Sequence, residues 1–209
     1  MLTYEREFWK THPSGILAGI DEVGRGPLAG PVVACAVMMS KDVAESWLGS
    51  GLTDSKQLTE AQRETFCDTL LKHTDVFMGL GWMSAAEIDE INILQATYRA
   101  MACAVRALPV QPDFALVDGN PVKGLPCDSR ALVKGDSRSL LIAAASVIAK
   151  VHRDRYMTEL DAKFPGYGFA AHKGYGTPEH LAALSRLGPC PEHRKTFQPV
   201  ADTFQATLF

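Results

Sequence analysis

Residues 16–39 read ILAGIDEVGRGPLAGPVVACAVMM. The apolar run 16–20 stops at the acidic pair Asp21-Glu22, which is typical of a buried strand whose end reaches solvent. A Gly- and Pro-rich loop follows, and residues 32–39 form a second apolar run. Because two strands joined by so short a connection pair most simply as neighbours, we predict an antiparallel pair with carboxylates at the end of its first strand.

The rest of the chain extends this pair into an α/β protein. The two sequences TEAQ at 59–62 and SAAE at 84–87 fit capping boxes, and Thr177-Pro178 fits a helix start. The predicted elements after the first two strands are a helix 59–72, a strand 76–82, a helix 84–108, strands 114–117 and 131–133, a long helix 137–163 and a helix from 177. This order predicts a mixed sheet flanked by helices, with residues 1–187 as the main domain and residues 188–209 as a small helical extension packed on it.

Composition excludes several classes of protein. The chain has 209 residues, 46% hydrophobic and 22% charged, with a net charge of −3, which excludes a disordered, fibrous or histone-like chain. The N-terminus is charged where a signal peptide is apolar, and the most apolar run, LLIAAASVIA at 140–149, is too short to cross a bilayer. Five scattered cysteines without a CxxC pair indicate reduced thiols. We therefore predict a cytosolic protein.

Three acidic residues share one position in the pattern. Asp21, Glu22 and Asp118 each stand where an apolar strand-like run stops, and strand ends are where open α/β sheets bind ligands. Carboxylates gathered there repel one another, and hard divalent cations relieve that repulsion. Without a His or Cys cluster, the oxygen donors favour Mg²⁺ or Mn²⁺ over zinc. Taken singly, each acid also fits a turn or a solvated strand end.

A fourth carboxylate comes from the start of the long helix. Asp136 and Asp154 are 18 residues apart, so they share a helix face, yet a straight helix separates them by roughly 27 Å. Both cannot serve one metal centre. We choose Asp136, which lies near a strand end, although an N-cap role would also explain it. Asp154 is expected to pair with Arg153, Arg155 or a neighbouring helix.

The glycine loop GRGPLAG at 24–30 resembles a dinucleotide-binding fingerprint, but its context argues against that function. The fingerprint needs a helix directly after the glycines, whereas Pro27 and Pro31 interrupt this loop and a strand-like run follows. What remains is a loop whose backbone can approach a ligand closely, with Arg25 available to a phosphate.

Seven basic residues between positions 123 and 155, against three acidic ones, form the one basic region long enough to line a duplex backbone. Solvated helix faces are the alternative explanation. His172 and His180 are interpreted as surface or helix-start residues rather than metal ligands. The basic residues are Lys123, Arg130, Lys134, Arg138, Lys150, Arg153 and Arg155.

Five strings in this order resemble the bacterial ribonuclease HII family: AGIDEVGRGPLAGPVVACAV, TDSKQL, ALVDGN, KGDSRSLLIAAASVIAKVHRDR and HKGYGTPEH. The resemblance covers residues 19–180 and continues into HRKTFQPV. It implies a ribonuclease H-like fold and an endonuclease that cuts the RNA strand of RNA/DNA hybrids. It further implies incision 5′ of single ribonucleotides in duplex DNA by a two-metal mechanism, leaving 3′-hydroxyl and 5′-phosphate ends.

The resemblance also assigns residues. It implies that Asp21, Glu22, Asp118 and Asp136 are the catalytic metal ligands for Mg²⁺ or Mn²⁺. It implies that Gly24, Arg25 and Gly26 contact the ribose 2′-hydroxyl and the neighbouring phosphate. Tyr175 would stack on the sugar after the ribonucleotide, and Lys56 and Asn92 would touch the nucleic-acid backbone.

Two other functions and one further partner stay open at this point. A junction resolvase on the same fold would cut branched DNA, and a non-catalytic module would bind hybrids without cutting them. The C-terminal residues Gln205 to Phe209, QATLF, look similar to short peptides that bind bacterial sliding clamps, although a terminal apolar pair can also dock on its own core. Nothing in the sequence requires more than a monomer.

Overall fold

A single mixed sheet of five strands carries the fold, in the order β3-β2-β1-β4-β5. The structure is a computed structural model that describes residues 1–205. The strands are β1 (Leu17–Val23), β2 (Val32–Met39), β3 (Val76–Met83), β4 (Phe114–Asp118) and β5 (Asp128–Leu132). The helices are α1 (Thr3–Thr11), α2 (Lys41–Ser46), α3 (Glu60–Lys72), α4 (Ala85–Arg106), α5 (Leu140–Lys163), α6 (Phe169–His172), α7 (Pro178–Leu187) and α8 (Val200–Gln205), with 3₁₀ turns at Ser55–Gln57 and Gly135–Ser137.

The register of the sheet places three strand ends on one edge. Strands β1 and β2 pair antiparallel, as the sequence predicts, whereas β1 pairs parallel with β4 through Ile20 and Val117. Strand β4 pairs parallel with β5, with Asp118 opposite Leu132. Because these three strands run in the same direction, their carboxyl ends meet at one edge of the sheet.

Helix α5 covers the sheet with its apolar first half. Residues 140–145 and 147–149 are all buried, so the most apolar run of the sequence is a core helix segment. Gly19 lets this helix come close, because a Cβ at Gly19 would stand 2.3 Å from the backbone carbonyl carbon of Leu141. Real Cβ atoms do not approach backbone so closely, so the contact between β1 and α5 requires glycine.

The chain divides into two compact units. The first unit comprises Met1–Val23, Val33–Trp82 and Tyr98–Val151, and it contains the sheet. The second comprises Gly24–Val32, Met83–Thr97 and the described chain from His152 onwards. The sequence-based domain boundary between residues 187 and 188 stays a prediction.

The structure adds features that the sequence patterns missed. Helices α1 and α2 were not predicted, although α1 buries Trp9 and Glu5 on one face. Helix α4 is interrupted at Asn92, whose φ of 66° and ψ of 161° are not helical. Strand β5 begins three residues earlier than predicted, and a 3₁₀ turn replaces the first residues of the long helix. No helix within residues 1–205 is long and apolar enough to cross a membrane.

Candidate active site

Two of the predicted carboxylates are neighbours at the carboxyl edge of the sheet. The parallel register pairs Ile20 with Val117, so Asp21 on β1 and Asp118 on β4 occupy the next positions along adjacent strands. Adjacent strands lie about 4.8 Å apart. The side chain of Asp21 is buried, and its Oδ1 accepts a hydrogen bond of 2.7 Å from the backbone N–H of Glu22. The Asp21-Glu22 pair is therefore held at the end of β1 next to Asp118.

The 3₁₀ turn after β5 brings Asp136 to the same place. Oδ1 of Asp118 accepts a hydrogen bond of 2.6 Å from the backbone N–H of Gly135, the residue before Asp136. A Cβ on Gly135 would stand 2.6 Å from Cδ1 of Ile142, so a larger residue here would displace the end of the Ile142 side chain. Asp136 itself is buried. This hydrogen bond thus ties the end of β4 to the turn that carries the fourth carboxylate.

The electrostatics show that these acids are close enough to oppose one another's ionisation. Burial raises the pKa of Asp21 well above its usual range, and the charges of Glu22 and Asp118 raise it further. Burial also raises the pKa of Asp136, together with the charges of Asp118 and Asp54. The isolated cluster is therefore unfavourable as a set of anions, and a bound cation would relieve it.

Lys56 supplies one positive charge beside the cluster. Its Nζ lies 3.8 Å from Oδ2 of Asp136, while its side chain is 83% exposed. Burial opposes its charged form, but the nearby carboxylates together outweigh that effect and raise the pKa of Lys56; they are those of Asp54, Asp136, Asp21 and Asp118. Because the ammonium group stays largely in solvent, it lies at the rim of the cluster and does not fill it.

The donor set fits a hard divalent cation in chemistry and charge, since it consists of carboxylate oxygens under mutual repulsion. Within residues 1–205, no group of three or more His, Cys, Asp or Glu side chains already stands in an arrangement that could hold a metal ion. The strand ends that carry these acids lie together at this edge, but the side chains of the described residues are not arranged as metal ligands.

The second unit contains the glycine loop and Tyr175 side by side. A Cβ on Gly26 would stand 3.7 Å from Cε1 of Tyr175, and the backbone N–H of Leu28 donates to the carbonyl of Gly174 at 2.8 Å. Arg25 and Gly26 are exposed, and Tyr175 is 44% exposed. These residues form a surface on which an aromatic ring and accessible backbone adjoin.

Comparison with known proteins identifies the family. The family model described as Ribonuclease HII matches residues 18–200. Ribonuclease HII of Rhodospirillum rubrum is 54% identical over 188 residues, covering 90% of this chain and 86% of that protein. The chain belongs to the ribonuclease HII family. Its members are metal-dependent endoribonucleases of the ribonuclease H type, which act on RNA/DNA hybrids, so the recognition and the enzyme class predicted from the sequence are confirmed.

Solved structures confirm the ribonuclease H-like fold. The crystal structure of ribonuclease H2 from Pyrococcus horikoshii OT3 superposes with a TM-score of 0.77 at 27% identity, covering 91% of this chain and 98% of that one. The structure of the PCNA:RNase HII complex from Archaeoglobus fulgidus gives a TM-score of 0.72 at 28% identity, covering 88% and 95% of the two chains. The mixed sheet flanked by helices is thus the architecture of this family.

One interpretation of a single residue was wrong. His180 lies in the first turn of α7, so it is a helix-start residue as predicted, and it is fully buried. Arg153 was counted with the basic residues that could line a duplex, yet it is also fully buried. A count of charges along the sequence cannot distinguish a solvated arginine from one that is enclosed by backbone carbonyls.

Asn92 is exposed, with Oδ1 accepting hydrogen bonds from the backbone of Leu94 and Gln95.

Sequence reasoning missed the serines that support the carboxylates. Oγ of Ser146 lies 2.9 Å from Oγ of Ser55, the residue before Lys56. A hydrogen bond from Ser146 also lowers the pKa of Asp21 and so partly offsets the effect of burial. The sequence does single out Ser146, because it carries the one hydroxyl in the apolar run 140–149.

Proposed function

We propose that this chain hydrolyses the RNA strand of RNA/DNA hybrids and incises 5′ of single ribonucleotides in duplex DNA. The products carry 3′-hydroxyl and 5′-phosphate ends, and Asp21, Glu22, Asp118 and Asp136 hold two Mg²⁺ or Mn²⁺ ions. The observation that carries the proposal is the hydrogen bond from Gly135 to Asp118, since it joins the carboxylates of two adjacent strands to a third acidic segment.

The protein's part in the reaction is to set the positions of the carboxylates in advance. When bound to these carboxylates, a pair of divalent ions would supply an activated water near neutral pH and charge stabilisation for the leaving oxygen. Backbone N–H groups hold Asp21 and Asp118 in fixed orientations. The exposed ammonium of Lys56 is available to a backbone phosphate of the substrate, for which a cation at the rim of the carboxylates is suited.

Recognition of the ribonucleotide belongs to the glycine loop and Tyr175. The 2′-hydroxyl is both donor and acceptor, and it is the group that distinguishes RNA from DNA. A loop with glycine at positions 24 and 26 lets backbone groups reach it, and the exposed ring of Tyr175 offers a face on which a sugar can pack.

An oligonucleotide assay tests the proposal. We expect a labelled DNA duplex with one ribonucleotide to be cut on the 5′ side of that ribonucleotide in Mg²⁺ or Mn²⁺. We expect Asp118→Asn to lower kcat/KM at least about 10³-fold, or ~4 kcal/mol of transition-state stabilisation. Asp128→Asn is the control, because Asp128 is an exposed carboxylate on β5, and it should cut as the unmodified protein does.

Three results would contradict the proposal. Cutting of branched DNA alone would favour a junction resolvase, and binding without cutting would favour a hybrid-binding module. Near-normal rates in folded Asp118→Asn would remove Asp118 from the reaction.

A bacterial sliding clamp is a second proposed partner, through residues 205–209. Residues 206–209 lie outside the described residues, so the proposal rests on the similarity of QATLF to clamp-binding peptides. The Archaeoglobus fulgidus relative was solved in complex with PCNA, which supports a clamp interaction for a protein of this fold.

A further inference from the structure

Two arginines of the second unit are fully buried and take no part in the reaction proposed above. Arg153 lies on α5 and Arg194 lies between α7 and α8, and both side chains are inaccessible to solvent. Burying a guanidinium group is costly unless its N–H groups are satisfied. Burial lowers the pKa of Arg153 to about 10 and that of Arg194 to about 9. Both remain cations at neutral pH and therefore need acceptors.

Arg194 finds its acceptors in the glycine loop. Nη1 donates to the carbonyl of Arg25 at 2.9 Å, and Nη2 donates to the carbonyl of Gly24 at 2.5 Å. Nε and Nη2 both donate to the carbonyl of Gly30, at 3.0 and 2.8 Å. One side chain thus binds both ends of the loop.

Arg153 bridges the glycine loop and the turn before Tyr175. Nε donates to the carbonyl of Pro31 at 2.9 Å and Nη2 to that of Ala29 at 3.2 Å. Nη1 donates to the carbonyl of Lys173 at 3.0 Å. Arg153 therefore connects the two segments to which the proposed function assigns recognition of the substrate.

These contacts fix the direction of the loop's N–H groups. In a trans peptide the C=O and the following N–H point in opposite directions. Because the carbonyls of Gly24 and Arg25 face Arg194, the N–H groups of Arg25 and Gly26 point away from it. Both residues are exposed, so Arg194 determines which side of the loop these N–H groups face.

Glycines let the loop and the turn close around the arginines. A Cβ on Gly24, whose φ is +91°, would stand 2.2 Å from Nε of Arg153. A Cβ on Gly174, whose φ is +84°, would stand 2.5 Å from the carbonyl oxygen of Ala29. The packing leaves no room for a side chain at either position.

We propose that Arg153 and Arg194 are positioning residues that hold the glycine loop and the Lys173–Tyr175 turn as one recognition surface, by binding six backbone carbonyls. Arg194 sets the direction of the loop's N–H groups, and Arg153 sets the place of Tyr175 relative to the loop. The inference rests on the proposed function, because it concerns how the ribonucleotide and the following sugar are read together. Lysine cannot replace either residue. All three N–H donors of lysine lie on one nitrogen, whereas the five N–H donors of arginine are spread over three nitrogens and can reach carbonyls that lie apart.

The test compares Arg153→Lys and Arg194→Lys with Arg186→Lys. Arg186 is the matched control, because it is exposed and also donates to a backbone carbonyl, that of Gly166. The first measurement is the ratio of kcat/KM on a single-ribonucleotide duplex to kcat/KM on a long RNA/DNA hybrid. We expect Arg153→Lys to lower this ratio on the order of 10- to 100-fold, as an ångström-scale misplacement does. The control should leave it unchanged.

The second measurement is amide hydrogen exchange of the free protein without metal or substrate. Exchange of peptides covering residues 24–31 should become faster in both variants, and exchange of peptides covering 173–176 should become faster in Arg153→Lys. The β1 and β4 peptides should be unaffected. If the unmodified protein fails to cut the single-ribonucleotide duplex, the proposed function fails, whereas the exchange result still decides whether the arginines hold these segments.

A third variant covers the case in which the arginine variants do not fold. Gly174→Ala keeps both buried cations but pushes the turn away from Ala29, and we expect the same fall in the substrate ratio. Equal losses on both substrates in Arg153→Lys and Gly174→Ala would indicate a merely structural role and overturn the inference. Unchanged exchange at residues 24–31 would overturn it as well.

Discussion

At the scale of single residues, Asp21 stands where its charge is least favourable. It is buried, and its ionised form is opposed by Glu22 and Asp118. A carboxylate whose pKa is raised on folding contributes full stability below its unfolded pKa and loses that contribution as pH rises through its folded pKa. The charge of Asp21 therefore costs folding free energy at neutral pH when no metal is bound.

We expect Asp21→Asn to stabilise the metal-free protein at pH 7 by about 0.5–2 kcal/mol, because the amide removes the buried charge. The measurement is Tm by calorimetry with a chelator present, and the gain should shrink as pH is lowered toward 4. Asp128→Asn, on the exposed start of β5, serves as the control. An equal or lower Tm for Asp21→Asn at pH 7 would contradict this explanation.

Sequence patterns predicted the proposed metal ligands because each acid follows an apolar strand or starts a helix. They could not predict that Arg153 is buried, since burial of a polar side chain depends on partners far away in the sequence. Arg153 donates to carbonyls more than 100 residues away. No local window contains that information.

At the scale of elements, a chain of histidines ties α7 to the segment that follows it. The backbone N–H of Cys190 donates to Nδ1 of His193 at 3.0 Å, and Nε2 of His193 lies 3.0 Å from Nε2 of His180. Nδ1 of His180 contacts the carbonyl of Tyr175 at 2.9 Å. Since a carbonyl only accepts, His180 donates from Nδ1 and His193 donates from Nε2, so both rings are neutral.

We expect this histidine chain to weaken in acid. Burial lowers the pKa of His193 to about 4 and also lowers the pKa of His180, each with help from the other histidines. A neutral buried histidine contributes its full stability above its unfolded pKa, near 6.5, and loses it as pH falls toward 4. The free energy of unfolding should therefore fall between pH 7 and 4.5, and we expect His193→Gln to reduce this fall by on the order of 2 kcal/mol.

The measurement is urea unfolding at each pH, compared with His12→Gln at an exposed position. If the unfolding free energies of His193→Gln and the unmodified protein change equally with pH, His193 does not titrate in this range.

Elements with strong local signals were predicted well. The capping box at Thr59 is present with both of its hydrogen bonds, and α7 has Thr177 as its N-cap and Pro178 at its first position. The break of α4 at Asn92 was missed because nothing in the surrounding residues interrupts the helical pattern. The side chain of Asn92 restarts the helix by accepting two backbone N–H groups, which is an N-cap within what otherwise reads as one helix.

At the scale of the whole molecule, the proposed clamp partner depends on the last five residues. We expect deletion of residues 205–209 to abolish capture by a bacterial sliding clamp while leaving cleavage of short oligonucleotides unchanged, because the deleted segment carries none of the proposed catalytic residues. Leu187→Ala is the control for loss of an exposed apolar side chain. Unchanged capture after the deletion, or no capture of the intact chain, would contradict the proposal.

The family, and with it the activity on hybrids, was evident from the sequence because five uncommon strings keep their order over most of the chain. The division into two compact units was not. Each unit draws on segments that are distant in sequence, and local sequence patterns do not show which distant segments pack together.

Gly19 shows how a position can be restricted without meeting any substrate. Its missing side chain lets α5 lie against β1, and β1 carries Asp21 two residues later. A replacement there would shift the helix away from the strand, so we expect selection to retain glycine at position 19 although it meets no substrate. Glycine retained at this position among relatives would therefore reflect the close packing of α5 on β1 and not a role in the chemistry.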